Sequence, residues 1–311
     1  MTGERGRELT QAQLRLLGAW REDEPMSRHT SWRVGGPADR FYQPRHVDDL
    51  AAFLAALPED EPLFWMGLGS NLLVRDGGIR GTVVCTSGML NEIEELPGER
   101  VRVEAGVSCA KTARFCTRAG LRGAEFLVGI PGTMGGALAM NAGAFGGETW
   151  PLVVRVETLD RHGGRHVRET SEYEIGYREV RGIPDEWFVA AELQLQGGDA
   201  GEGMEAIKAF LNKRARSQPT GIASGGSVFR NPPGDYAGRL IESCGLKGFR
   251  IGGASVSRQH ANFIVNDGQA SAADIEELID YVKAVVKRRA GVDLILEVHI
   301  VGEKQRSEKH E

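Results

Sequence analysis

Residues 126–147 read FLVGIPGTMGGALAMNAGAFGG, twenty-two positions with no charged side chain and seven glycines. A run so free of charge is long enough for a membrane span. The glycines, Pro131 and Asn141 argue against one, because they break a helix and lower its apolarity. The better reading is main chain laid close against a large, flat, polyanionic ligand. Glycine permits positive φ and removes the Cβ that would block a diphosphate or a fused ring. Thr133 and Asn141 can hydrogen-bond, while Met134, Leu138 and Met140 can line an apolar wall.

The rest of the chain suits a ligand-rich enzyme. Its 311 residues are enough for two or three domains, since single cores stop growing near ~250–300 residues. Glycine supplies 42 of them, well above the ~7% average, and without the repeat of a collagen. The net charge of −5 favours neither nucleic acid nor an anionic membrane, so any basic site is local. Cys85, Cys109, Cys116 and Cys244 form no C-x-x-C pair and read as reduced, buried thiols. The N-terminus lacks a signal-type apolar core, which makes a cytoplasmic location the default. Residues 304–311 read as a solvated tail.

Periodicity gives an α+β pattern. A short amphipathic helix is expected through Leu14, Leu17 and Trp20, and another through Val47, Leu50, Ala51 and Leu54. Strands are expected over 62–68 and 81–86, then 101–107. Ser108 reads as the N-cap of a helix that stops at Gly120. A hairpin is expected over 152–168, followed by a strand through Val189, Ala191, Leu193 and Leu195 with one buried face. Residues 197–203, GGDAGEG, read as a linker. Beyond it come a helix through Met204, Ile207 and Leu211, and a short helix capped by Asp235. A long helix follows the Ser271/Asp274 capping box, and an alternating strand runs from Leu294 to Ile300.

Several motifs are excluded. Gly67-Leu68-Gly69-Ser70-Asn71-Leu72 starts like a dinucleotide fingerprint but lacks a third glycine, and a strand follows where a helix is needed. There is no P-loop. Ser227 lacks the second glycine of a nucleophile elbow, and no clustered Cys/His offers a metal site. Two Gly/Ser/Asn/Thr loops without Rossmann topology still suggest a diphosphate held by main-chain N–H groups.

At this point six segments can be taken together: HTSWRVGGPAD, GLGSNLLV, GAEFLVGIPGTMGGALAMNAGAFGGE, YREV, GGSVFRNP and HANFIVN. In this order, over about residues 26–302, the chain resembles the UDP-N-acetylenolpyruvoylglucosamine reductases of bacterial peptidoglycan synthesis. The resemblance implies an FAD-binding fold of the vanillyl-alcohol-oxidase (PCMH) type in two subdomains, 1–88 and 89–200. A C-terminal α+β substrate domain follows over 201–303. It also implies NADPH as hydride donor and a small-molecule nucleotide-sugar substrate; a monomer without nucleic-acid or membrane partners is expected. Only about ten residues separate Tyr177-Arg178 from the strand near Trp187, so the chain resembles the shorter, second type, which lacks an inserted substrate-capping segment.

The implied reaction is a two-step relay of hydride from NADPH through FAD to the enolpyruvyl double bond. Arg178 of the Tyr-Arg motif matches the residue that grips the substrate carboxylate, a task suited to a planar guanidinium. Ser227 matches the proton donor, and Glu297 a residue that stabilises or protonates the intermediate. Cofactor contacts are expected from Gly67, Gly69, Ser70, Asn71 and Leu72. A second set comprises Gly129, Ile130, Pro131, Gly132, Thr133, Gly135 and Gly136, then Asn141, Ala142 and Gly143. Substrate contacts are expected from Tyr177, Arg230, Asn231, Lys247, Arg250 and His260. Arg214 and Arg216 read as a solvated basic face or as further diphosphate contacts.

Apart from the resemblance, Arg178 reads as a surface arginine, Ser227 as a turn serine, and Glu297 as an edge-strand glutamate or a buried one with a raised pKa. Two other functions stay open. One is a flavin oxidase of the same fold acting on an alcohol or sugar; the lack of any histidine between His46 and His162 weakens it, since such enzymes often tether flavin through one. The other is a UDP-sugar binding module without flavin.

Overall fold

The computed structural model describes residues 18–305. Leu14 of the expected N-terminal helix lies outside them, as do Leu17 and residues 306–311 of the expected tail. Trp20 belongs not to a helix but to a strand, Ala19–Pro25, which pairs antiparallel with Pro37–Gln43. Tertiary pairing overrides the local period here.

A first sheet has the order Ala19–Pro25, Pro37–Gln43, Ile79–Cys85, Leu63–Met66, and its last three strands are parallel. Helix α1 (Val47–Ala56) makes the crossover. His46 caps it by accepting the N–H of Asp49 at 3.1 Å, and its buried face packs Leu50, Phe53 and Leu54 against Tyr42 and Val84. The loop 67–71 leaves the end of Leu63–Met66 and runs into Leu72–Val74.

A second, antiparallel sheet runs Arg165–Glu169, Val153–Asp160, Glu186–Gln194, Arg100–Glu104, Ile93–Leu96. Glu186–Gln194 lies at its centre. Residues Val189 to Leu193 are all buried, on both faces, where the alternation suggests one buried face. Helix α2 (Cys109–Arg118) starts at Ser108, whose hydroxyl accepts the Lys111 N–H at 3.2 Å. Helix α3 (Met134–Met140) is the helical part of the glycine belt. It ends at Asn141, which adopts the left-handed conformation at φ +43°.

Residues 197–203 are not a linker. They form the end of a strand, Gln196–Gly197, and the first turn of helix α4 (Ala200–Ser217), which Asp199 caps. Ile207 of α4 packs into the same core as Val101, Cys116 and Leu127.

The C-terminal part is a four-stranded antiparallel sheet, Ala223–Ser227, Phe263–Asn266, Ala254–Val256, Arg250–Ile251. Helix α5 (Ala237–Ser243) follows Asp235, which accepts the Tyr236 N–H and pairs with Arg239. Helix α6 (Ala272–Ala290) carries the full Ser271/Asp274 capping box. Ile275, Leu278, Ile279, Val282 and Val286 form its apolar stripe at 3- and 4-residue spacing. Trp32, Val34 and Leu73 from the N-terminal part enter this same core.

The stretch 294–300 is not a continuous strand. Only His299–Val301 pairs, in parallel, with Leu72–Val74, while Leu296 makes an isolated bridge to Phe229. Leu294 and Val298 are buried in the C-terminal core. All four cysteines are free and buried. Among the described residues, no helix is long and apolar enough to cross a membrane.

Candidate active site

A cavity of about 1160 Å³ opens between the three parts. That exceeds the ~300–1,000 Å³ of a single small-ligand pocket. Its walls are the loop 67–72, the belt residues 129–133, 136–137, 139–140 and 142–145, Arg178, the end of α4, residues 217–227, Glu297 and His299.

The two glycine-rich segments contribute differently. In the loop 67–71, the main-chain N–H groups of Gly69, Ser70 and Asn71 reach no acceptor among the described residues, so a phosphate can take them. Gly69 sits at φ +68°, and a Cβ there would collide with the carbonyl of His29. In the belt most amides are already used. The N–H groups of Met134 and Gly135, in the first turn of α3, donate to Val107 and Ala105. The belt instead offers shape and one hydroxyl. Thr133 Oγ1 is buried without a partner, and it faces Gly67, where a Cβ would strike it. An orphaned buried hydroxyl beside free amides fits a large polar cofactor such as FAD.

Arg178 sits at the tip of a two-stranded hairpin, Glu174–Gly176 with Glu179–Arg181, at φ +56°. Its Nη1 donates to the Asn141 carbonyl at 3.2 Å and its Nη2 to the Gly143 carbonyl at 2.8 Å. Its Nε lies 3.3 Å from Glu297 Oε1, both side chains mostly buried. Burial raises the Glu297 carboxyl above its ordinary value, and the nearby charges of Arg178 and Arg230 oppose the rise. Ser227 ends the strand Ala223–Ser227 on the same cavity wall. The neighbouring Val228 carbonyl accepts the Glu297 N–H at 2.9 Å.

Among the described residues, the cavity wall carries Arg33, Arg178, Lys213 and Arg214 but one carboxylate, Glu297. Such a wall selects polyanions. Arg214 is half-buried, its Nε donating to Gln218 Oε1 at 3.3 Å, and burial holds its pKa below the arginine range. Arg216 is exposed and off the wall. Arg33, Trp65, Lys213 and His299 are wall residues that the sequence reading did not single out. His299 was within reach, since it follows Glu297 by two positions.

Several expected contacts lie elsewhere. Gly135 is a packing residue, its Cβ position filled by Ala105. Asn141 is off the large cavity; its side chain binds Glu148, the Gly176 carbonyl and the Trp150 N–H. Tyr177 is exposed and lines a smaller pocket of about 460 Å³ behind the hairpin. Arg230, Asn231, Lys247, Arg250 and His260 do not line the large cavity either. Arg230 lies close enough to act on Glu297 and His299 by charge. Asn231 accepts the Ala237 N–H at the start of α5. Lys247 and Arg250 are held by Glu242 and Asp267. His260 Nδ1 accepts the Asn262 N–H at 3.3 Å.

Comparison with known proteins agrees with this architecture. The family model for the C-terminal domain of UDP-N-acetylenolpyruvoylglucosamine reductase matches residues 218–301, and one for an FAD binding domain matches 38–169. The chain is 61% identical to the UDP-N-acetylenolpyruvoylglucosamine reductase of Alkalilimnicola ehrlichii, over 93% of this chain and 96% of that one. It is 62% identical to that of Methylococcus capsulatus, over 93% and 95%. The crystal structure of the Thermus caldophilus reductase superposes with a TM-score of 0.79 at 34% identity, covering 92% of this chain and 99% of the other. The expected α+β, FAD-binding fold is thereby borne out.

Proposed function

The chain belongs to the UDP-N-acetylenolpyruvoylglucosamine reductase family, and on that premise we propose how its cavity divides the work of the reaction. The enzyme is an FAD-dependent oxidoreductase of peptidoglycan synthesis that reduces UDP-N-acetylglucosamine enolpyruvate to UDP-N-acetylmuramate with NADPH. FAD, when bound, supplies the carriage of hydride between donor and substrate.

The loop 67–71 holds cofactor phosphate through its free N–H groups, and Thr133 offers its hydroxyl to the cofactor's polar groups. Arg178 binds the substrate carboxylate. Of its five N–H donors, two are fixed on the Asn141 and Gly143 carbonyls and one faces Glu297. The other two can meet a carboxylate without the side chain having to reorganise, which is what charge stabilisation during a reaction requires. Ser227 delivers a proton from Oγ to the carbon bearing the carboxylate. Burial raises the Glu297 carboxyl above its ordinary value against the pull of Arg178 and Arg230, so it shares a proton there at lower cost than an exposed carboxylate would.

The Arg178–Glu297 pair, joined through the Val228 carbonyl to Ser227, carries this reading. Mixing experiments test it. Ser227→Ala should still be bleached by NADPH in the flavin bands, yet lose enolpyruvyl-dependent recolouring by on the order of a hundredfold. Unchanged recolouring in Ser227→Ala and Glu297→Gln would overturn the assignment. Fast recolouring by air alone, without enolpyruvyl dependence, would favour the oxidase reading.

We also read the chain as two cofactor subdomains with a substrate domain that begins after Ser217 rather than at 201, because α4 packs on the second subdomain. We further read the enzyme as a monomer that acts in the cytoplasm on a small-molecule nucleotide-sugar, without nucleic-acid or membrane partners.

A further inference from the structure

We propose that Asn71 is a positioning residue for Glu297: its amide fixes the main chain of the acid against the first glycine loop. The inference rests on the reading that Glu297 takes part in the reduction.

Glu297 needs such a holder. It lies in the stretch 292–298, which belongs to no strand. Hydrogen bonds to Val228 and Asn71 set the main chain over 297–299. Its N–H donates to Val228 at 2.9 Å, on the Ser227 side. Its carbonyl accepts from Asn71 Nδ2 at 2.8 Å. Two residues on, the His299 N–H donates to the Asn71 carbonyl at 2.9 Å. Asn71 thus brackets Val298, immediately C-terminal to the acid, across 226 positions of sequence. Among the described residues no other donor reaches the Glu297 carbonyl.

Asn71 is itself oriented. The same Nδ2 lies 3.1 Å from Met140 Sδ, at the end of α3. Both amide hydrogens therefore have acceptors, neither of them in a cofactor. One and three positions beyond Met140, the Asn141 and Gly143 carbonyls hold Arg178. Both members of the Arg178–Glu297 pair are thus referred to the same few residues at the end of the belt, and this fixes their separation of 3.3 Å. A short amide is what the position requires. Aspartate has the shape but presents an acceptor to a carbonyl, and glutamine adds a methylene while keeping the donor.

The charged and titratable groups facing Glu297 are Arg178, Arg230 and His299, the last sharing its cavity wall. Loosening the clamp admits water to the carboxyl and weakens the burial that raises it.

The test uses holoenzyme with Asn71→Ala, Asn71→Asp and Asn71→Gln, alongside Glu297→Gln. Flavin content and KM for the enolpyruvyl substrate should stay near parent values. The kcat of the Ala and Asp variants should fall by about ten- to hundredfold, as for a reacting group moved by a fraction of an ångström. The limb of the kcat–pH profile that Glu297→Gln abolishes should move to lower pH, and Asn71→Gln should recover part of the kcat. If Asn71→Ala does not fold, the isosteric Asn71→Asp carries the test. Loss of flavin with full kcat per bound flavin would make Asn71 a cofactor ligand and overturn the proposal, as would an unchanged kcat and pH profile. An undiminished kcat in Glu297→Gln would instead remove the reading on which the proposal rests.

Discussion

The indole N–H of Trp32 donates to the Ile264 carbonyl at 2.8 Å, across 232 positions of sequence. Asn266 Nδ2 returns a bond of 2.8 Å to the Trp32 carbonyl. Trp32 is fully buried, and Gly225 leaves room for its ring. One side chain from the cofactor half is therefore a core residue of the C-terminal part, and it braces the strand that ends in Ser227.

Trp32→Ala should lower the unfolding free energy by about 3–5 kcal/mol, the cost of emptying so large a site. Trp32→Phe should cost less, chiefly the ~1–3 kcal/mol of a buried carbonyl left without its donor. Urea unfolding of the three proteins checks the order. A Phe variant as stable as the parent would mean that the bond to Ile264 contributes nothing.

Arg230 should set two titrations at once. Burial raises Glu297 and lowers His299, while the Arg230 charge lowers both. Arg230→Gln should therefore raise both pKa values, as read by NMR of the His299 ring and the Glu297 carboxyl. The stability effects have opposite signs. His299 is depressed when folded, so the parent loses stability as pH falls through the ordinary 6.5, and the variant loses less. Glu297 is raised when folded, so its contribution is lost as pH rises from the ordinary 4.5 through the folded value. That loss should grow in the variant. A His299 pKa that does not move would show that Arg230 does not face it.

Local rules read much of this chain and failed where partners are distant. Ser108 and the Ser271/Asp274 box are helix signals complete within four residues, and both helices start there. The alternation from Leu294 to Ile300 is equally regular, but only its last residues find a partner strand, supplied by Leu72–Val74. Trp20 likewise follows a pairing that no local pattern encodes. In the site, the two side-chain-poor segments were visible as composition. Lys247 and Arg250 looked like diphosphate contacts because a sequence shows charges but not their counterions, here Glu242 and Asp267. Asn141 looked like a ligand contact because an amide's partners are set by folding, here Glu148, Gly176 and Trp150.

Arg214 should be an anion sensor. It lines the cavity half-buried, and no carboxylate pairs with it among the described residues. Inorganic phosphate should raise the melting temperature of the flavin-free parent, and raise that of Arg214→Gln less, because a charge-assisted bond contributes about 1.5–3 kcal/mol. Lys247→Gln should respond like the parent, since Lys247 is tied to Glu242 at 2.7 Å outside the cavity. Equal protection in all three proteins would place the anion elsewhere.

Thr133 should trade stability for binding. Its Oγ1 is buried with no partner among the described residues, and a buried hydroxyl left unpaired costs about 1–3 kcal/mol. Thr133→Val keeps the shape and removes the hydroxyl, so the flavin-free variant should be more stable than the parent by a part of that amount. With cofactor bound the order should reverse, because the variant lacks a hydrogen bond that the parent gains, typically ~0.5–1.5 kcal/mol, or up to about tenfold in Kd. The two effects share one atom, so they should appear together: a higher melting temperature without flavin, and a lower flavin-to-protein absorbance ratio after dialysis. A valine variant that is more stable and holds flavin as tightly as the parent would show that Thr133 faces the cofactor's carbon skeleton rather than its polar groups. A variant less stable in both states would show that the hydroxyl already has a partner in the free protein, most simply a water held between Thr133 and the Gly67 main chain.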